Sequence, residues 1–387
     1  MKLAKNLRRL GSESAFKILA EAKKIEAQGQ KIIHLSLGQP DFKSPKHVVD
    51  ATKKALDEGH HGYVLPNGTI ECREAVTRKI KKLYNATIEP ERIVIMPGGK
   101  PTMYYAITLF GESGAEIIYP DPGFPIYESM INYTGAKAVP INMLDNSDFS
   151  INPEKILSLI TKDTRLIILN NPNNPTGAFT EKNKIDQLAK GLKKFPHVAI
   201  LSDEIYSRQI FDNKQMPTFF DYPDLYDRLI VLDGWSKAYS MTGWRLGWSV
   251  WPKQLVEYVV KFCINNHSCV NAAIQFGAIA ALDGPDDSIN LMMNKFTQRR
   301  KLIFDGLNDI KGIECNLPGG GFYAFPKVIG TGMNGEQFTK KCLYEAGVAI
   351  VPGTAFGKKA VDHVRFSFAA SQENISTALE KIKKMLK

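Results

Sequence analysis

Lys237 lies in the segment Gly234-Trp235-Ser236-Lys237-Ala238-Tyr239-Ser240-Met241-Thr242-Gly243-Trp244-Arg245-Leu246-Gly247, just downstream of an apolar run. A lone lysine is ordinarily a surface charge. Among small and aromatic neighbours behind a buried strand it is instead a candidate imine former, because burial pushes an amine toward its neutral, nucleophilic form. Arg245, eight residues on, is a cation that could bind a phosphate. In Ser202-Asp203-Glu204-Ile205-Tyr206 the carboxylate of Asp203 closes another apolar run, where burial is costly without a cationic partner. The plain alternative for Asp203 is a helix N-cap.

Two further clusters follow apolar runs. Asn170-Asn171-Pro172-Asn173-Asn174-Pro175-Thr176-Gly177 reads as a rigid turn, but several amides at a strand's carboxyl end can also fix a ligand oxygen. Pro97-Gly98-Gly99-Lys100-Pro101 precedes an expected helix from Thr102 to Phe110. Glycines let a backbone approach an anion closely, and a helix N-terminus offers free N–H groups and the positive end of its dipole. A structural Gly-Gly turn is the competing reading.

The elements that would position these residues are short. Arg92–Met96, Glu116–Tyr119, Arg165–Leu169, Val198–Leu201, Arg228–Leu232 and Leu246–Val250 are apolar without alternation, as strands buried on both faces should be. Helical stretches between them predict an α/β domain over residues 46–284, with a mostly parallel sheet sandwiched by helices. Ligands of such sheets gather at the carboxyl ends of the strands, where all four clusters fall. Beyond residue 285 a long charged helix (288–310) leads to expected strands at Gly321–Phe325, Val348–Val351 and Val364–Phe368. A final helix then starts after Ser371, a good N-cap. These predict a smaller α+β domain of residues 285–387, completed by residues 1–45.

Composition narrows the function. At 387 residues the chain exceeds what one core usually serves, and 44% hydrophobic with 23% charged residues is ordinary for a globular protein. No apolar run approaches the ~18 residues that a membrane span needs. The formal charge of +10 is scattered rather than massed, which argues for a solvated surface with some cations committed to anionic ligands, and against nucleic acid. Five cysteines without a C-x-x-C pair suggest neither zinc nor a disulfide framework, and the seven histidines show no metal-ligand spacing. A reducing, cytoplasmic setting fits. Met1–Lys31 is basic and partly amphipathic, yet Glu13, Glu21 and Glu26 argue against a transit peptide and for a helix packed on the folded body.

Asn-Pro-Asn-Asn-Pro-Thr-Gly, Ser-Asp-Glu-Ile-Tyr and Ser-Lys-x-x-x-Met-Thr-Gly-Trp-Arg-x-Gly, in this order, resemble the class I aminotransferases of pyridoxal-phosphate fold type I. The likeness runs from Gly38-Gln39-Pro40-Asp41-Phe42 to Val364-Arg365-Phe366-Ser367. It implies that Lys237 carries pyridoxal 5'-phosphate as a Schiff base and then serves as the general base. It implies that Asp203 pairs with the pyridinium N–H, and that Tyr206 and Asn174 hydrogen-bond the 3'-oxygen. The phosphate would rest on the N–H groups of Gly99 and Lys100, on Arg245 and on the Ser236 hydroxyl. Many relatives carry Ser or Thr three residues before the lysine; here Gly234 stands there, which leaves one phosphate contact missing or supplied otherwise. Phe124 matches the aromatic stacked on the pyridine ring, with core packing as its alternative. Arg365 matches the arginine that grips the substrate α-carboxylate through a bidentate fork, Gly38 adds a backbone N–H to it, and Tyr63 resembles the tyrosine that reaches the neighbouring subunit's phosphate. The resemblance thereby implies a homodimer with shared sites.

The substrates would be an L-amino acid (aspartate, aromatic or aliphatic) and a 2-oxo acid such as 2-oxoglutarate. Phe16, Phe124, Tyr127 and Gly319–Tyr323 suggest an apolar, roomy side-chain pocket, and no second pocket arginine is evident. A carbon–sulfur lyase or synthase of the same fold is the competing enzyme. Regulators that borrow the fold carry an added helix-turn-helix domain, which is not read in these residues.

Overall fold

A computed structural model describes residues 1–12 and 14–387, residues 14–16 by their backbone alone, so the expectations placed on Glu13 and on the Phe16 side chain lie outside the described residues. The N-terminal segment supplies helix Ser14–Ala27 and the short strand β1 (Ile33–His34). That helix buries Ala22 and Ile25 against Leu343 and Ala349, as the amphipathic reading expects.

Seven strands build the large sheet: β2 (Ile93–Met96), β3 (Glu116–Asp121), β4 (Lys137–Asn142), β5 (Thr164–Asn170), β6 (Ala199–Asp203), β7 (Leu229–Gly234) and β8 (Gly247–Val250). Their spatial order is β2-β8-β7-β6-β5-β3-β4. β3 to β7 pair in parallel, while β8 runs antiparallel to both β7 and β2. Alternate residues of β2, β5 and β7 enter different cores. Ile93, Ile95, Ile167, Leu169, Leu229 and Val231 pack on one face. Val94, Met96, Leu166, Ile168, Ile230 and Leu232 pack on the other. Burial of each such side chain contributes about 1.5–3 kcal/mol, which is why these runs show no polar alternation.

All six expected runs are strands. β4 was not expected, because it is an edge strand: Lys137 and Pro140 are exposed, so it lacks the continuous apolar signature. Pro140 is tolerated there because an edge strand does not need every N–H for the ladder.

The remaining strands are β9 (Tyr323–Ala324), β10 (Val348–Ala349), β11 (Val351–Pro352) and β12 (Val364–Ser367). β11, β12 and β9 form an antiparallel trio, and β1 pairs in parallel with β10. Ile33 and Leu35 share one core with Phe296 and Ile303 of helix Asp287–Asn308 and with Ile375 and Ile382 of helix Gln372–Met385. Ser371 caps the last helix, its hydroxyl accepting from the Asn374 N–H. The expected strand Gly321–Phe325 shortens to two residues, its glycines bending the chain toward the large sheet, where Gly319 and Gly320 both donate to the Gly177 carbonyl.

Candidate active site

β5 and β6 end level, with Asn170 beside Asp203, while β7 runs on past Leu232, the partner of Asp203, to Gly234. The Asn170 amide ties the two loops that leave this edge: Nδ2 donates to the Asp203 carbonyl at 3.1 Å, and Oδ1 accepts from the Asn174 N–H at 2.8 Å. Asn174 is thereby presented to Arg365 on β12, whose Nη1 donates to Asn174 Oδ1 at 2.9 Å while Nη2 donates to the Ser36 carbonyl at 2.6 Å.

Asp203 is only 2% exposed. Its Oδ2 accepts from the Tyr127 hydroxyl at 2.6 Å and its Oδ1 from the Ile205 N–H at 3.2 Å. Burial raises its pKa to about 6; those two hydrogen bonds and the positive charge of Lys237 oppose the rise.

Lys237 stands on the short helix Trp235–Ala238 that follows β7. Its amine donates to the Gly38 carbonyl at 2.5 Å, and its own carbonyl accepts from Gln209 Nε2 at 2.9 Å. Burial, then the charges of Arg365 and Arg245, pull the amine's pKa down to about 8, against a weaker opposite pull from Asp203. A substantial fraction of the amine is therefore neutral near physiological pH, which a nucleophile and base requires.

Gly98 has φ +88°, and a Cβ built there would stand 2.4 Å from Arg245 Nη2, so the glycine makes room for the guanidinium. Gly99 caps helix Lys100–Phe110, with Pro101 in its first turn, so the positive end of the helix dipole meets the cavity that Arg245 and the buried Ser236 also line.

These groups line one cavity of about 590 Å³ that includes Gly38, Gly99, Lys100, Phe124, Asn174, Asp203, Tyr206, Ser236, Lys237, Arg245 and Arg365. Its charged lining is four cations (Lys100, Lys237, Arg245, Arg365) and one carboxylate, Asp203. Such a cavity receives anions. The family model for aminotransferases of class I and II matches residues 30–382. The chain belongs to that family.

The aminotransferase is 37% identical over 359 residues to a probable aspartate aminotransferase of Methanocaldococcus jannaschii, covering 91% of this chain and 93% of that protein. It is 33% identical to an aromatic-amino-acid aminotransferase of Thermococcus litoralis, with 93% of each chain covered. Its fold matches the crystal structure of the aspartate aminotransferase from Rhizobium meliloti with a TM-score of 0.94 at 30% identity, over 100% of this chain and 99% of that one. The family depends on pyridoxal phosphate, and this cavity fits that group: a Gly-Gly helix N-terminus and an arginine for a phosphate, a buried carboxylate for a ring nitrogen, and a buried amine whose pKa is drawn down to about 8.

Of the residues read from the sequence as catalytic, cofactor-binding or carboxylate-binding, all but Tyr63 line this cavity; Tyr63 is 92% exposed elsewhere on the surface. Tyr127 does not line the cavity as expected. It is the second residue of helix Ile126–Thr134, which turns the ring inward, fully buried, with its hydroxyl on Asp203. Of Gly319–Tyr323 only Tyr323 lines it. The sequence reading also missed Phe356, whose ring centroid lies 4.5 Å from the Arg365 guanidinium carbon. No local pattern announces that contact, because the two residues meet only through the β11–β12 pairing and the turn after β11.

Proposed function

We propose that this aminotransferase moves the amino group of aspartate, an aromatic or an aliphatic L-amino acid to 2-oxoglutarate, using Lys237 as its base. The observation that carries the reading is the cavity's charge pattern: four cations and one buried carboxylate around a lysine whose pKa is drawn down to about 8. One anion of the cofactor and one or two of the substrate account for the excess of cations.

When bound, pyridoxal 5'-phosphate supplies an electron sink that acidifies the substrate Cα–H. Asp203 would hold the ring nitrogen protonated, and Phe124 would pack against the ring. Tyr206 and Asn174 would hydrogen-bond the 3'-oxygen. The N–H groups of Gly99 and Lys100, the Ser236 hydroxyl and Arg245 would hold the phosphate, with Tyr63 contributed from a second copy of the chain. Arg365 orients the substrate by its α-carboxylate, aided by Asn174 and the Gly38 N–H, so that the Cα proton faces Lys237. The neutral amine of Lys237 takes that proton, and Asp203 remains ionised to balance the ring.

The same reading divides the chain into a cofactor-binding domain of residues 46–284 and a smaller domain of residues 1–45 and 285–387, working as a homodimer. The β1–β10 pairing supports that grouping of the two ends. Five free cysteines, four of them buried, suit a reducing, cytoplasmic setting. No helix among the described residues is long and apolar enough to cross a membrane.

Mixing the holoenzyme with single amino acids and recording the visible spectrum tests the reading. Loss of the cofactor's visible band with an amino acid alone, and its return on adding 2-oxoglutarate, establishes transamination and ranks the donors. Irreversible release of a β- or γ-leaving group instead would assign the chain to the lyases. Lys237→Ala should abolish turnover and leave the fold intact.

A further inference from the structure

We infer that Tyr323 is a positioning residue that serves both halves of the site, its ring orienting Arg365 and its hydroxyl orienting Tyr206. The inference rests on the roles proposed above for those two residues. Tyr323 is 1% exposed and stands on β9, which pairs with the strand carrying Arg365. The Arg365 guanidinium carbon lies 4.5 Å from the centroid of the Tyr323 ring. Asn174 Oδ1 and the Ser36 carbonyl take one N–H group each from Nη1 and Nη2, so hydrogen bonds fix the guanidinium at its terminal nitrogens, and the Tyr323 ring shares with Phe356 the task of holding its plane. A cation against an aromatic ring in a desolvated setting is held by roughly 0.5–2 kcal/mol, and the held geometry is what a bidentate carboxylate contact needs.

The other end of the same side chain points at the cofactor half. The Tyr323 hydroxyl lies 3.1 Å from the Tyr206 hydroxyl, with the two rings edge-on at 5.8 Å. A Cβ built on Gly38 would come within 1.9 Å of that hydroxyl, so the phenol abuts the residue whose carbonyl accepts from Lys237. The strand holding Tyr323 is fixed by Gln209, whose carbonyl accepts from the Gly321 N–H at 2.7 Å and whose side-chain amide donates to the Lys237 carbonyl at 2.9 Å. One phenol thus touches the carboxylate clamp and the hydroxyl that tunes the cofactor's 3'-oxygen, and ordinary core packing requires neither contact.

Because ring and hydroxyl have different partners, two substitutions separate them. Three holoenzymes, Tyr323→Phe, Tyr323→Leu and Arg365→Lys, are compared with wild type by calorimetric Kd for 2-oxoglutarate and by the pH midpoint of the bound cofactor's visible band. Tyr323→Phe keeps the ring, so its Kd should stay within about twofold while the band's midpoint shifts, because Tyr206 loses its partner. Tyr323→Leu should raise the Kd by roughly 3- to 30-fold, the range given by loss of a desolvated cation–π contact. Arg365→Lys should raise it by roughly 10- to 100-fold, as loss of a charged bidentate contact does. If Arg365→Lys weakens binding while both Tyr323 variants keep the wild-type Kd and midpoint, Tyr323 is a packing residue and the inference is overturned. If Arg365→Lys leaves the Kd unchanged, the assignment of the clamp falls and takes this inference with it. Should Tyr323→Leu fail to fold, the midpoint of Tyr323→Phe still decides the hydroxyl's role.

Discussion

The Tyr127 hydroxyl donates to Oδ2 of Asp203 at 2.6 Å, and Tyr127 itself is fully buried and does not line the cavity. The bond favours the ionised carboxylate against the burial that raises its pKa to about 6. Tyr127→Phe removes it and should move the Asp203 pKa upward. Affinity for pyridoxal 5'-phosphate, followed by absorbance titration from pH 5 to 8, should then start to fall at a higher pH in the variant than in wild type. The ligand's own titration is common to both profiles, so their difference isolates Asp203. Superimposable profiles would show that Tyr127 does not set this carboxylate.

Asp203 also links function to stability. Its folded pKa of about 6 lies above the ordinary value near 4, so the folded chain holds this proton more tightly than the unfolded chain. Stability contributed at this group therefore declines as pH rises from about 4 to about 6, and the full cost is present above that. Asp203→Asn removes the charge and the cost together. The cofactor-free variant should match or exceed wild type in unfolding free energy at pH 7, by up to about 2 kcal/mol, with the gap closing below pH 4. Turnover by the same variant should fall about 100-fold or more, because an amide cannot keep the ring nitrogen protonated. Chemical denaturation at pH 4 and 7 checks the first half, and steady-state kinetics the second.

Lys237, Asp203 and Asn174 were legible in the sequence because each follows an apolar run, and buried parallel strands deliver their carboxyl-end residues to one edge. The contacts by which neighbouring aromatics condition these and Arg365 were not. Tyr127 follows Phe124 by three residues, and both read as pocket aromatics until the helix starting at Ile126 separates them, one facing the cavity and one the core. Tyr323 and Phe356 meet Arg365 only through strand pairings between distant segments, and β4 escaped because a half-exposed edge strand has no reason to be uniformly apolar.

Gly98 offers a test of the phosphate end that a second glycine can control. Gly98→Ala places a Cβ 2.4 Å from Arg245 Nη2 at a backbone φ of +88°. Gly114 has φ +92° with nothing within 4 Å, so Gly114→Ala carries the backbone strain without the collision. Both variants should lose about 1 kcal/mol or more of stability from the left-handed backbone. Gly98→Ala alone should also bind pyridoxal 5'-phosphate roughly tenfold more weakly, the effect of displacing one charged hydrogen-bond donor. Equal cofactor affinities in the two variants would separate Arg245 from the phosphate.

Tyr63 is 92% exposed and lies outside the cavity of its own chain, so its proposed contact with the phosphate requires a second copy. Complementation tests that sharing directly. Lys237→Ala removes the base from its own cavity but leaves a normal Tyr63 to lend, while Tyr63→Ala keeps the base and loses the tyrosine. In a hybrid of the two, one cavity combines the intact Lys237 of one chain with the intact Tyr63 of the other. About half of the cavities in the purified hybrid are then in that state. Differently tagged variants co-expressed and purified as the hybrid should therefore recover activity well above the mean of the two parent homodimers. A hybrid no more active than that mean would confine each cavity to a single chain and remove Tyr63 from the site.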